Sequence, residues 1–291
     1  MVSVTGNDRA LGVFPPRRNA VEELFGTPKV VIGVVHLPPL PGSPHYEGVP
    51  LDDICAFATE EARAYLEGGC HGLIVENHWD IPFLKPGEHG YETAAAMAVV
   101  TDRVRYATGG RLGVSVLSNA AECSIAAGWS GGAGFVRVNQ WANAYVANEG
   151  IIEGQAAHAA RYRSRIGAGP VKVFADVHVK HGAHAIVADR SLAEQTEDAE
   201  FFGADVLIAT GSRTGDAAAR DEVEGIAAHT TLPVVIGSGI TARNIGELLP
   251  ACDGVIVASS VKDNGRWWGR VDGARVRELT AAAARAGAVL P

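Results

Sequence analysis

The segment Val-Ile-Gly-Val-Val-His-Leu-Pro-Pro-Leu-Pro-Gly, residues 31–42, decides between the two common parallel α/β folds. Its apolar first half is typical of a parallel strand that is covered on both faces. An open doubly wound sheet would follow this strand with a Gly-rich turn, whose backbone amides bind a dinucleotide. Prolines 38, 39 and 41 lie there instead and have no amide hydrogen to donate. The segment therefore favours a closed barrel over the open sheet.

Seven further apolar runs of similar length recur along the chain, and helical patterns alternate with them. The eight predicted strands are Val30–Val35, Gly72–Glu76, Leu112–Leu117, Gly134–Val138, Val171–Val177, Asp205–Thr210, Leu232–Gly237 and Gly254–Ala258. The predicted helices are Leu51–Glu67, Tyr91–Ala107, Ala120–Gly128, Gln155–Arg165, Ser191–Phe202, Ala217–His229, Ala242–Leu249 and Gly273–Ala286. Eight consecutive βα units in 291 residues predict one α/β domain, a (β/α)₈ or TIM barrel. We assign residues 25–291 to the barrel and residues 1–24 to an N-terminal arm.

Composition limits the partners and the compartment. The net charge is −8 without a basic stripe, which argues against nucleic acid. No apolar run is long enough to span a bilayer, so we expect no integral membrane contact. The four cysteines form no CxxC motif and suit a reducing cytoplasm. Two long loops, residues 77–90 and 139–154, are expected either to shape the site or to pack against a neighbouring subunit of a homo-oligomer.

Polar residues gather at the predicted C-terminal ends of the strands, where barrels of this type carry their active sites. The candidate catalytic residues are Asp176, His178, Glu76, Lys180 and Asn139. The candidate substrate-binding residues are His36, Asn77, Arg137, Asn119, Trp141 and Arg213. Such a set can perform acid–base chemistry on a polar substrate. The structural alternative is a satisfied polar layer that plugs the top of the barrel.

Alternation along the strands predicts which of these residues meet. Asp176 and His178 are two residues apart, as are Arg137 and Asn139, so each pair is expected on one face of its strand. The two strands are neighbours, and we expect the four groups to converge. Trp141, in the loop that follows, offers a flat ring for stacking on a ligand, although packing or a subunit contact would also explain it.

The last two units carry a second signal. The turn Gly237-Ser238-Gly239 follows the seventh strand, and Ser259-Ser260 follows the eighth. Loops at these two positions bind phosphate through backbone amides in many barrels, and we predict the same here. The alternative is a pair of ordinary tight turns, with Thr241 as a helix N-cap. Asp176, His178 and His181, together with Glu76, also have the residue types of a divalent metal site, but their spacing is not diagnostic, and no cofactor is assigned.

Several segments together resemble the BtpA/SgcQ family over about residues 25–288. They are residues 31–44, 72–77 and 149–154, Arg137-Val-Asn139, Phe174–His181, Thr210–Gly215 and Gly237–Thr241. The resemblance implies a phosphate-binding TIM barrel similar to the ribulose-phosphate-binding barrels. The founding cyanobacterial member of the family is associated with the accumulation of photosystem I, and bacterial relatives occur among sugar-metabolism genes.

The residues and the resemblance together predict an enzyme that acts on a phosphorylated sugar or a ribosyl-type metabolite. Lyase, isomerase, and glycosyl transfer or hydrolysis all remain open as reaction types. Two other classes also stay open at this point. One is a non-catalytic stability or assembly factor like the founding member, and the other is a metal-dependent hydrolase.

Overall fold

The computed structural model describes residues 18–211 and 220–291. Within these ranges, eight parallel strands close into a barrel in the order β1-β2-β3-β4-β7-β8-β9-β10, with β10 paired to β1. The barrel strands are β1 Val30–His36, β2 Gly72–Glu76, β3 Arg111–Ser115, β4 Phe135–Val138, β7 Lys172–Asp176, β8 Val206–Ala209, β9 Val234–Ile236 and β10 Gly254–Val257. The predicted (β/α)₈ barrel is confirmed.

Helices alternate with these strands and cover the outside of the barrel. They are α1 Ala20–Phe25, α2 Leu51–Glu67, α3 Tyr91–Thr108, α4 Ala121–Gly131, α5 Ala156–Arg165, α6 Leu192–Phe201, α7 Arg220–Ala228, α8 Ile245–Leu248 and α9 Gly273–Arg285. Of the helices in the described ranges, none combines the length and apolar character needed to cross a bilayer.

The strands are apolar throughout because both of their faces are buried. On β1, Ile32 and Val34 point into the barrel, whereas Val31 and Val35 belong to the core between the strands and the outer helices. Inside the barrel, the rings of Phe135 and Phe174 stack with their centroids 4.4 Å apart. This two-sided packing explains why the strands appear in the sequence as continuous rather than alternating apolar runs.

Helix α1 lies where the sequence suggested an irregular arm. Asn19 caps it by accepting hydrogen bonds from the amides of Val21 and Glu22. Val21 is fully buried in the same cluster as the barrel interior, and Phe25 packs edge-on against Phe135 at 5.9 Å. The helix therefore adds apolar side chains to the interior of the barrel.

The loop after β4 contains an element that the sequence analysis missed. Strands β5 (Ala144–Ala147) and β6 (Gly150–Glu153) form an antiparallel hairpin. The base of this hairpin is closed, because the amide of Gly154 donates to the carbonyl of Asn143 at 2.8 Å. The loop is thus an ordered insert that leaves the order of the barrel strands unchanged.

Candidate functional site

A cavity of about 260 Å³ lies at the C-terminal mouth of the barrel. Its wall includes the side chains of His36 and Glu76, which end β1 and β2 and face each other in register. Arg137 from β4 and the turns that follow β9 and β10 complete much of the remainder. The closing of the barrel through the β1–β10 pair brings these first and last strands together.

The turns after β9 and β10 present backbone donors to this cavity. We call Gly237–Gly239 and Ser259–Ser260 the anion turns. Across the described ranges, the N–H groups of Ser238, Gly239, Ser259 and Ser260 donate no hydrogen bond to a protein acceptor. The hydroxyl of Ser260 is also buried without a partner in this part of the chain. A cluster of backbone N–H groups without a protein acceptor at the mouth of a barrel suits an anion.

The shape of the first anion turn, Gly237–Gly239, is stabilised by a glycine conformation and by hydrogen bonds to Asn244. Gly239 has a φ of 70°, a left-handed conformation that glycine adopts without strain. The side chain of Asn244 donates to the carbonyl of Gly239 at 2.9 Å and accepts from the amide of Thr241 at 2.7 Å. The first contact directs the Gly239 carbonyl to Asn244 and leaves the N–H groups of Ser238 and Gly239 available to a ligand.

Lys180 brings a positive charge to the same turn. Its Nζ donates to the Ser238 hydroxyl at 3.1 Å, while its backbone amide donates to the Thr210 hydroxyl at 3.2 Å. Burial, followed by the charge of Arg137, lowers the pKa of Lys180 to about 8. The ammonium therefore remains mostly protonated at neutral pH and can pair with a phosphate oxygen.

His36, Glu76 and His78 form a compact group, which we call the His–Glu–His cluster. Glu76 Oε1 lies 3.0 Å from His78 Nδ1 and 3.6 Å from His36 Nε2. The two imidazole rings stack with centroids 4.3 Å apart. His36 and Glu76 are buried, whereas about a quarter of the His78 side chain is exposed.

The protonation states in the cluster follow from burial and from hydrogen bonds. Burial, assisted by Lys262 and His78, lowers the pKa of His36 to about 3, so its ring is neutral. Burial alone would raise the pKa of Glu76, but the hydrogen bond from His78 and nearby positive charges, including Arg137, hold it well below its usual range. An ionised carboxylate thus faces a neutral imidazole.

Arg137 and Asp176 form a buried ion pair next to the cavity. Arg137 Nε and Nη2 donate to the two carboxylate oxygens of Asp176 at 3.1 and 3.0 Å. The side chain of Asp176 is fully buried, and that of Arg137 is 7% exposed. Both oxygens of Asp176 are thus engaged, and Arg137 is the member of the pair that lines the cavity.

The structure places several other predicted site residues away from the cavity. The ring of His178 stacks on His184 at 3.6 Å, because β7 ends at Asp176 and the alternation stops there. Asn139 is half-buried outside the cavity wall. The expected convergence on one face therefore brings together Arg137 and Asp176, but not their partners two residues further along. Among the described residues, the one group of three or more metal-capable side chains within ligand distance includes Glu76 but neither Asp176 nor His178.

Two predicted asparagines brace loops. The side chain of Asn77 donates from Nδ2 to the Asp80 carboxylate and accepts at Oδ1 from the backbone N–H of Leu117. Asn119 exchanges hydrogen bonds with the backbone of Gln140 and also donates to the Glu153 carbonyl. These contacts fix the long loops around the mouth of the barrel.

Trp141 and Arg213 complete the set of predicted substrate-binding residues. Trp141 is 2% exposed, belongs to the main apolar core, and donates from its indole to the Phe202 carbonyl at 3.0 Å. These contacts match the packing alternative for this residue. Arg213 lies outside the described residues.

Three residues at the site were not singled out from the sequence. His78 follows Glu76 by two positions, and a second histidine so close to a strand-end carboxylate was a usable signal. Trp267 lines the cavity, and its backbone carbonyl lies 3.0 Å from His36 Nδ1. Lys262 is fully buried and donates to the same carbonyl at 3.1 Å. The loop that carries Trp267 and Lys262 has no pattern that would locate them beside β1.

The BtpA family model matches residues 27–285. An uncharacterized protein of Archaeoglobus fulgidus is 42% identical over 255 residues, which cover 88% of this chain and 98% of the relative. The photosystem I biogenesis protein BtpA of Synechocystis sp. is 37% identical over 255 residues, covering 87% and 88% of the two chains.

Two solved structures share the fold. Thiamine phosphate pyrophosphorylase from Pyrococcus furiosus has a TM-score of 0.56 at 16% identity and covers 93% of this chain and 100% of that one. (S)-3-O-geranylgeranylglyceryl phosphate synthase from Thermoplasma acidophilum, in complex with its substrate sn-glycerol-1-phosphate, has a TM-score of 0.55 at 13% identity and covers 90% and 96%. At these identities the likeness shows the fold alone.

Proposed function

The chain belongs to the BtpA family, and we propose that it is an enzyme acting on a phosphorylated sugar or ribosyl-type metabolite at the barrel mouth. One observation carries the proposal. A single cavity is lined both by the anion turns, in which the N–H groups of Ser238, Gly239, Ser259 and Ser260 have no acceptor in the described protein, and by the His–Glu–His cluster. Its volume of about 260 Å³ suits a small metabolite better than a dinucleotide.

In this proposal the phosphate binds at the anion turns. The amides of Ser238, Gly239 and Ser260 donate to its oxygens, and Lys180 adds a charge-assisted hydrogen bond. The Ser260 hydroxyl gains the partner that it lacks within the described protein. The names of two structural neighbours with the same fold mention phosphorylated compounds, and this is consistent with an anion site in this chain.

The remainder of the substrate would extend towards the His–Glu–His cluster. Glu76, ionised and buried, can accept a hydrogen bond from a hydroxyl of the substrate and orients His78 through their 3.0 Å contact, and His78 can take a proton from the substrate and return it to the product. Arg137, oriented by Asp176, can donate to a substrate oxygen from the cavity wall. We therefore propose Glu76 and His78 as the catalytic residues, with Lys180 as a phosphate ligand rather than a nucleophile.

Calorimetry tests the binding step. Ribose 5-phosphate and glycerol 1-phosphate should bind, whereas ribose and glycerol should not. Lys180→Met removes one hydrogen bond to a charged group, which is worth about 1.5–3 kcal/mol, so we expect about 10- to 100-fold weaker binding. Lys85→Met, which lies outside the cavity wall, is the matched control and should bind as the native chain does. Equal affinity for phosphorylated and unphosphorylated ligands would contradict the proposal.

Turnover tests the catalytic step. The protein is incubated with a panel of phosphorylated sugars and ribosyl compounds, and the products are followed by NMR. Glu76→Gln should abolish conversion while phosphate binding persists, because the amide keeps the shape of the group without the charge that orients His78. Phosphate-dependent binding without conversion of any compound would instead favour a non-catalytic factor, the function that the name of the Synechocystis relative suggests.

A further inference from the structure

Three side chains of the His–Glu–His cluster point their ligand atoms at one another. His36 Nδ1 lies 3.0 Å from the carbonyl oxygen of Trp267, and a carbonyl can only accept a hydrogen bond. This contact directs the other ring nitrogen, Nε2, at Glu76 Oε1, which lies 3.6 Å away and thus beyond normal hydrogen-bond distance. His78 Nδ1 lies 3.0 Å from the same carboxylate oxygen.

We infer that the His–Glu–His cluster is a binding site for one divalent transition-metal ion, held by His36 Nε2, a Glu76 carboxylate oxygen and one nitrogen of His78. The inference goes beyond the phosphate-binding function proposed above, and its evidence does not depend on the identity of the substrate. With an ion bound, Glu76 and His78 act as its ligands and not as the proton-transfer residues of that proposal, because the lone pairs that hold a metal cannot also accept a proton. Two imidazoles and one carboxylate are the ligand set of many catalytic zinc sites and of the facial triad of non-haem iron.

The distances fit such an ion. One ligand atom from each residue lies within 4.8 Å of the other two. Ligands about 2.1 Å from a tetrahedral metal lie about 3.4 Å from each other, close to the 3.6 Å between His36 and Glu76. Mg²⁺ and Ca²⁺ prefer all-oxygen ligand sets, so two nitrogens favour Zn²⁺, Fe²⁺ or Co²⁺.

The surroundings hold the ligands in orientation, as the outer shell of a metal site does. The hydrogen bond from His36 Nδ1 to a backbone carbonyl is the contact that directs Nε2 at a metal. Lys262 donates to the same carbonyl and fixes its position. The ring of His78 is held between His36 and the indole of Trp267, whose centroid is 4.8 Å away.

The remaining coordination positions would face the ligand cavity. His36, Glu76 and His78 all line the cavity that also contains the anion turns. An ion at the cluster would therefore contact an oxygen of a molecule whose phosphate rests on those turns, or a water beside it. Such an ion polarises the bound oxygen or lowers the pKa of the bound water.

A Co²⁺ titration tests the inference. The full-length protein is stripped with a chelator, checked by circular dichroism, and titrated with CoCl₂ while the visible absorption of bound Co²⁺ is recorded. Zn²⁺ is then added in competition. We expect one equivalent of Co²⁺ to bind and Zn²⁺ to displace it. Loss of an outer-shell contact already costs 10–100-fold in metal affinity, so His78→Ala should bind about 100-fold more weakly or worse.

The controls separate this site from adventitious binding and from misfolding. His45→Ala removes an exposed histidine away from the cluster and should bind Co²⁺ as the native chain does. His78→Ala is expected to fold, since His78 lies in a loop and is partly exposed. Absence of stoichiometric binding, or native affinity in folded His78→Ala, would overturn the inference. Phosphate binding by the stripped protein is measured in parallel, so either proposal can fail alone.

Discussion

The buried pair Arg137–Asp176 yields the most demanding test of the structure. Arg137→Met keeps most of the side-chain volume but leaves the carboxylate of Asp176, which is fully buried, without its partner. Breaking a buried ion pair from one side costs about 3–5 kcal/mol, a large fraction of the roughly 5–15 kcal/mol by which a typical domain is stable. We therefore expect a clear fall in the free energy of unfolding.

Urea unfolding followed by circular dichroism measures this loss. Arg220→Met is the matched control, because Arg220 pairs with Glu224 on the surface and both side chains are 52% exposed. That variant should change the stability by about 0.5 kcal/mol or less. The double variant Arg137→Met/Asp176→Asn removes both buried charges and should be more stable than Arg137→Met alone.

Two results would refute this reasoning. One is an Arg137→Met protein whose stability lies within about 1 kcal/mol of the native value, since breaking a buried pair should cost several times more. The other is a double variant that is less stable than Arg137→Met. Either result would mean that Asp176 is held by something other than this pair, and the sequence-based prediction of Asp176 as a catalytic residue would then be favoured again.

Two further predictions concern the ligand site and its surroundings. Phosphate-monoester affinity should fall as the pH is raised from about 7 to about 10, because the ammonium of Lys180 loses its charge as the pH passes its lowered pKa of about 8. Calorimetry should find this fall in the native chain and not in Lys180→Arg; a pH-independent native affinity would contradict the role of Lys180. Trp141→Ala should lower the free energy of unfolding by about 3–5 kcal/mol without changing phosphate affinity or molecular mass in light scattering, since the indole is in the core. Weaker phosphate binding by the folded variant would instead indicate that Trp141 lines the ligand pocket. A changed molecular mass would indicate that Trp141 lies in a contact between subunits.

The strands were predictable because parallel strands in a barrel are apolar on both faces. Each predicted run overlaps an observed barrel strand, including Gly72–Glu76 with identical bounds. The hairpin β5–β6 was missed because its strands have four residues each, too few to establish a period. Its turn residues, Asn148 and Glu149 before Gly150, were the available signal.

The candidate site was harder to predict, since it depends on where each strand ends. β7 stops at Asp176, so the two-residue alternation does not extend to His178. His36 and Glu76 could be placed at strand ends, but the register that pairs them is a property of the closed sheet. Trp267 and Lys262 reach the site from a loop after β10, and no local pattern specifies a contact across more than two hundred residues of chain.

Because β1 pairs with β10, the site forms only after the whole barrel has been synthesised and closed. The anion turns follow β9 and β10, whereas His36 and Glu76 end β1 and β2, and these four strands are neighbours only after the ring has closed. A nascent chain that still lacks β9 and β10 contains His36 and Glu76 without the anion turns, so the proposed binding site is incomplete. A bound metabolite would span this seam and favour closure by mass action, adding about 2.7 kcal/mol at a hundredfold excess over its Kd. Supply of the metabolite and survival of the folded protein in a cell would thereby be linked.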